Sequence, residues 1–131
     1  MATAARARVR PRRSPAPTGR HKQAAANPLR QLRRRCGMSQ ALLARLLGVS
    51  LRTLSGAETA AAVPARMRRT ATQAERLCDA LAEAMEPAFV GHWLDQPNEM
   101  LGALKPVEAI ERGQIDLVWQ VAEGLRSGSP L

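Results

Sequence analysis

Covalent or metal chemistry in this chain would have to come from two cysteines, two histidines and eleven carboxylates. Their spacing supplies none of it. Cys36 and Cys78 stand alone, with no CxxC and no His at ligand spacing, so two buried reduced thiols are expected rather than a disulfide framework or a zinc site. His21 lies among arginines, and His92 beside Trp93 has no Ser, Cys or carboxylate placed to form a catalytic pair. No Gly-rich phosphate loop and no paired carboxylates in an apolar setting occur. The expectation is no catalytic residue, no metal and no cofactor. What remains is guanidinium chemistry. The 57 residues before Glu58, the first carboxylate, hold thirteen Lys or Arg, whereas the rest hold seven bases against eleven acids. An acid-free cationic half suits a polyanion, because each Lys or Arg set on a phosphate releases counterions without needing sequence information. The acidic half points to a second, different partner.

The elements that must present these groups are helical. At 131 residues the chain has room for one domain or two very small ones. Aromatics are 2 % (Phe89, Trp93, Trp119), while Ala and Leu dominate, which favours aliphatic helix packing over sheets. An all-α fold is expected. No run reaches the ~18 apolar residues of a membrane span, so a soluble chain is expected, and the two reduced thiols suit a cytoplasmic one. Residues 1–27 mix Arg with Ala, Ser and Pro (Pro11, Pro15, Pro17) without apolar periodicity and read as a disordered basic arm. The prolines would break the amphipathic helix of a transit peptide, and no apolar stretch marks a secretory signal.

From Pro28 the pattern is helical and punctuated. Leu29, Leu32 and Cys36 define a first helix that Gly37 ends. Ser39 caps a second, with Leu42, Leu43, Leu46 and Leu47 as its apolar face and Ala44 small enough for close approach. Gly48 stops it, Val49 follows as a buried plug, and Ser50 caps a third helix carrying Leu51, Arg52, Thr53, Leu54 and Ser55.

The stretch SQALLARLLGVSLRTLSGAE, residues 39–58, resembles the helix-turn-helix of Xre-type, lambda-repressor-like regulators. The resemblance implies that the second motif helix enters the major groove. Ser39 and Gln40 would hold DNA backbone, Leu51, Arg52 and Ser55 would face bases, and Ser50 and Thr53 would complete the DNA-binding set. Arg52 would be the candidate for bidentate contact to guanine. Gly56 and Ala57 stand where the family often has a long polar side chain and Trp, which removes one base reader and costs helix propensity.

Beyond Pro64 a longer helix is expected from about Thr70 to Met85, with Ala71, Ala74, Leu77, Cys78, Leu81 and Met85 as its core stripe and Pro87 ending it. Phe89, Val90, Trp93 and Leu94 read as an apolar helix face. Pro97-Asn98 caps a turn whose Met100 and Leu101 point inward. Pro106 and Gly113 frame a short helix, and Ile115, Val118, Trp119, Ala122 and Leu125 lie on a final one.

WLDQPNEMLGALKPVEAIERG, residues 93–113, followed by an amphipathic helix ending AEGL, resembles the toxin-binding domain of Xre, MbcA and ParS antitoxins. Lys105 departs from the common Thr before Pro106 and, lacking a hydroxyl cap, predicts a looser helix start. The tail 126–131 is expected to be mobile. The domains expected are a basic arm (1–27), a helix-turn-helix region (28–66) and a toxin-binding helical bundle (67–131). The resemblance implies a bacterial antitoxin that neutralises a RES-domain toxin, one that consumes NAD or transfers ADP-ribose, by plugging its substrate pocket with the C-terminal segment. It also implies autoregulation on operator DNA, as a homodimer within a larger toxin–antitoxin complex. Trp93, Trp119, Glu123, Gly124, Leu125 and Arg126 would lie at the toxin contact. The alternative is a stand-alone Xre-family transcriptional regulator without a toxin.

Overall fold

The computed structural model describes residues 27–128. They fold as α1 (Pro28–Arg35), α2 (Gln40–Leu47), α3 (Leu51–Thr59), α4 (Arg68–Ala82), α5 (Val90–Leu94), α6 (Pro106–Glu111) and α7 (Ile115–Ser127). Short 3-10 turns occupy Ala65–Met67, Pro87–Phe89 and Glu99–Leu101. The described residues contain no strand, only an isolated bridge between Asn98 and Leu104. No helix among them is long and apolar enough to cross a membrane. The expected flexible arm up to residue 26, and the last three residues of the tail, lie outside the described residues.

Asn27 belongs to the core rather than to the arm. Its side chain is fully buried. Its Oδ1 accepts from the amides of Leu29 and Arg30 at 3.0 and 3.1 Å, capping α1. Its Nδ2 donates to the carbonyls of Ala57 and Ala60, both at 2.9 Å, tying down the end of α3. A buried primary amide needs such partners, since leaving its polar atoms unmet costs about 1–3 kcal/mol.

The caps fall where the sequence puts them. Ser39 Oγ accepts from the Leu42 amide at 3.1 Å, and Ser50 Oγ from the Thr53 amide at 3.0 Å. Gly48 takes a left-handed conformation at φ 69° to turn α2 towards α3. Val49 is only half-buried and packs at the edge of the core rather than plugging it.

Helix α4 is the common spine. Ala74, Leu77, Cys78 and Leu81 are buried along it, with Ala71 and Met85 half-buried beside them. It packs on α2 from the front half and on α7 from the rear, while α6 packs against both α2 and α7. One continuous apolar cluster therefore runs from Leu29, Leu43 and Leu54 to Val107, Val118 and Ala122. The spine begins at Arg68, two residues earlier than expected, because the 3-10 turn Ala65–Met67 leads directly into it and buries Met67. It ends at Ala82, so Met85 lies beyond it, and Pro87 starts a 3-10 turn instead of stopping α4.

The front and rear meet backbone to backbone at two glycines. The Gly91 amide donates to the Cys36 carbonyl at 2.8 Å. A Cβ on Gly91 would collide with the Gly37 carbonyl, and one on Gly37 with that of Ala88. Only glycine permits this approach.

Two side chains expected inside are outside. Phe89 is 47 % and Met100 51 % exposed. Both sit in 3-10 turns, whose three-residue period takes Phe89 off the helix face read through Val90, Trp93 and Leu94 and sends Met100 away from its buried neighbour Leu101. Leu101 is buried as expected, and Asn98 Oδ1 accepts from the Met100 amide at 2.9 Å. The start of α6 is firmer than its Lys105 suggests. The Glu108 carboxylate accepts from the Lys105 amide at 2.8 Å, and Lys105 Nζ reaches Asp95 at 3.2 Å.

Candidate nucleic-acid and protein interfaces

Glu58 organises the front face. Its carboxylate is buried and accepts from Arg33 Nε at 2.7 Å, Arg33 Nη2 at 2.9 Å and Gln40 Nε2 at 3.1 Å. Burial pushes its pKa up, but the bonds from Arg33 and Gln40 and the charge of Arg33 outweigh it, leaving the carboxyl below the ordinary carboxylate range. The fork-to-fork pair fixes α1 against the end of α3. It also engages one N–H of Gln40, the residue expected on DNA backbone, and orients that amide from behind.

Of the other residues expected at DNA, the structure brings Leu51, Arg52 and Ser55 to the exposed side of α3, while Leu54 is fully buried behind them. Leu51 is 50 % exposed, beside Arg52. Ser50 and Thr53 form the cap itself: besides the backbone bond, Ser50 Oγ donates to Thr53 Oγ1 at 2.9 Å. Arg52 has no salt-bridge partner among the described residues, which leaves its fork open. A Cβ on the exposed Gly56 would meet nothing within 4 Å.

At the rear, the residues expected at the second contact do not form one patch. Trp119, Glu123 and Arg126 follow i, i+4, i+7 spacing and share an edge of α7. There Arg126 bonds Glu123 at 2.6 and 2.7 Å and reaches Glu83 at 3.2 Å. Trp119 and Trp93 are both half-buried against the core. Gly124 is buried, whereas Leu125 is 45 % exposed.

A groove that the sequence reading missed lies nearby. Met100 from the 3-10 turn and Leu117, Gln120 and Val121 from α7 line an open hollow of about 390 Å³. Leu117 lies off the stripe traced through Val118 and Ala122, and it is 42 % exposed. No cluster of His, Cys, Asp and Glu among the described residues could hold a metal ion. The His92 ring lies tilted against the exposed ring of Phe89, with centroids 4.9 Å apart.

Comparison with known proteins places these faces in context. A helix-turn-helix domain family matches residues 24–85, spanning α1 to α4 and taking in Asn27. A probable mycobacterial cidal antitoxin, Rv3188 of Mycobacterium tuberculosis (strain ATCC 25618 / H37Rv), is 30% identical over 93 residues, covering 71% of this chain and 80% of the relative. The crystal structure of the M. tuberculosis MbcT–MbcA toxin–antitoxin complex contains a similarly folded chain. It matches with a TM-score of 0.65 at 20% sequence identity, covering 79% of this chain and 95% of that one. At that identity the structural likeness establishes the fold. With a relative at that identity and coverage, the chain belongs to the Xre/MbcA-type antitoxins.

Proposed function

We propose that this protein neutralises a RES-type toxin with its rear face and C-terminal segment, and represses its own operon through α3. It acts in the cytoplasm by binding alone, without a cofactor or catalysis of its own, as a homodimer within a toxin–antitoxin assembly. The division of labour follows the segments 28–66 and 67–131. The observation that carries the reading is the contrast in exposure: the front presents Arg52 beside bare Leu51, the rear presents apolar Met100, Leu117 and Leu125. Exposed apolar side chains gathered on one small body suit a protein partner. Leu125, on the last turn of α7, leads into the segment that would enter the toxin's site and cover its NAD-handling pocket. Trp93, Trp119, Glu123, Gly124 and Arg126 would support that segment, and the groove beside Met100 widens the footprint.

The test is co-expression with the product of the adjacent gene, followed by affinity capture and an NAD-consumption assay. Full-length protein should co-purify in fixed stoichiometry and suppress NAD loss. A chain ending at Glu123, and the full chain with Leu125→Asp, should both release the activity. The second variant removes no helix, so it separates lost contact from lost folding. If both still bind and inhibit as well as the parent chain, the plug reading is wrong. If the parent captures nothing, the protein is a stand-alone regulator.

A further inference from the structure

The exposed arginines do not end with the helix-turn-helix. Residues 27–76 carry ten arginines against two acids, Glu58 and Glu75, whereas residues 77–128 carry three bases against nine acids. Glu58 is buried in its pair with Arg33, so it does not mark the change of surface sign. That change falls part-way along α4.

The bases differ in their partners. Arg35, Arg45, Lys105 and Arg126 each pair with a carboxylate. Arg66, Arg69 and Arg76 are exposed and have no salt-bridge partner among the described residues. The nearest acids on the same helix turn elsewhere: Glu75 and Asp79 face α1, at 3.8 and 2.9 Å from Arg35. Arg69 and Arg76 are seven residues apart, hence on one side of α4, about 10.5 Å along its axis. That side is opposite Ala74, Leu77, Cys78 and Leu81, and exposed Thr72 and Gln73 lie between the two arginines.

The start of α4 is also close to the end of α3. Asn27, at the head of α1, holds the carbonyls of Ala57 and Ala60. Pro28 and Leu29 line a hollow of about 240 Å³ together with Val63 and Arg68, and Arg68 Nε donates to the Val63 carbonyl at 3.3 Å. Fold stability does not explain Arg66 and Arg69. Helix α4 has no acid in its first turn and no side-chain cap, and cations at that end oppose the macrodipole.

We infer that Arg66, Arg69 and Arg76 form a ridge that grips duplex-DNA phosphates beside α3 and extends the footprint past the helix-turn-helix. The inference rests on the DNA-binding reading above and adds backbone affinity to it, without sequence information.

The test uses the full chain with Arg66→Gln, Arg69→Gln and Arg76→Gln combined, titrated over a salt series against the promoter duplex and a random duplex of equal length. Each phosphate contact contributes about 0.9 to the slope of log K against log salt, so the slope should flatten by at least about 0.9 on both duplexes. Lysine at the same three positions should restore it, and the melting temperature of the Gln variant should stay level or rise. A slope change smaller than about 0.9 overturns the ridge, most plainly if toxin capture is lost instead, which would assign the arginines to an acidic protein surface. The operator reading fails separately, when the parent chain does not distinguish promoter from random duplex. If the parent binds neither duplex, both fall.

Discussion

The two ends of this molecule solve opposite surface problems, and they are braced in different ways. The front must keep guanidinium groups open towards solvent, so it draws its rigidity from buried polar anchors. Asn27 spans α1 and α3 with four hydrogen bonds, and Glu58 does the same through Arg33 and Gln40. The rear pairs two of its three bases, in Lys105–Asp95 and Arg126–Glu123, and leaves apolar groups bare. Its bracing is backbone geometry, with Gly91 on the Cys36 carbonyl and the Asn98–Leu104 bridge closing a turn through Gly102 and Ala103 at φ 65° and 69°. The front commits Arg33 to its own bracing and leaves Arg52, Arg66, Arg69 and Arg76 without a salt-bridge partner among the described residues.

The sharpest way to break that contrast is Glu58→Gln. Removing one member of a buried pair costs about 3–5 kcal/mol, and the lower end applies because the Arg33 side chain keeps 20% of its surface in water. Urea unfolding at neutral pH should therefore show a loss of about 3 kcal/mol. The parent also carries a pH signature. The folded carboxyl titrates below the unfolded value of 4.5, so its contribution is complete above that pH and fades as pH falls through the lower folded pKa. In the variant this acid-range loss should shrink. A variant within about 1 kcal/mol of the parent would remove Glu58 from the role of anchor.

Gly91→Ala addresses the rear's means of bracing. The added methyl meets the Gly37 carbonyl, which belongs to backbone and cannot swing aside. Overpacking of this kind costs about 1–3 kcal/mol, partly offset by about 1 kcal/mol of helix propensity. Because the obstructing atoms are backbone, the upper part of that range applies, and the expected outcome is a net loss of about 1–2 kcal/mol in thermal or chemical unfolding, shared by probes in both halves because the contact joins them. Stability equal to or above the parent's would show that the glycine approach is incidental.

How much of this was legible beforehand follows from how local each cause is. The caps at Ser39, Ser50 and Asn98 and the turn at Gly48 are set within three or four residues, and the sequence shows them directly. The antitoxin resemblance rested on a fixed order of residues over 93–113, and the relative at 30% identity bears it out. Glu58 was conspicuous as the first acid, but its partner Arg33 is 25 residues away, and nothing in the intervening spacing reveals that pairing. Asn27 was assigned to the arm because its composition continues the arm's, whereas its role depends on carbonyls at 57 and 60. Phe89 was misread because helical periodicity was extended into a turn that does not have it, and Met100 because both apolar residues of a turn were turned inward when only Leu101 is. Leu117 was passed over because a stripe was traced through Val118 and Ala122, and the groove beside it became visible only once Met100 was folded against α7.

The smallest effect tests whether the front gives up stability for its surface. Gly56 is exposed on α3, and a side chain there would meet nothing within 4 Å. Its backbone lies inside a regular helix, so the unfolded chain loses more entropy on folding than it would with alanine. Gly56→Ala should therefore stabilise by about 0.5–1 kcal/mol, the reverse sign of the two changes above. If binding to a promoter duplex is unchanged while the melting temperature rises, the glycine contributes nothing to the reading surface. If affinity falls as stability rises, close approach of DNA to the α3 backbone is the reason no side chain stands there, and the bareness of that position belongs to the interface rather than to a weak helix.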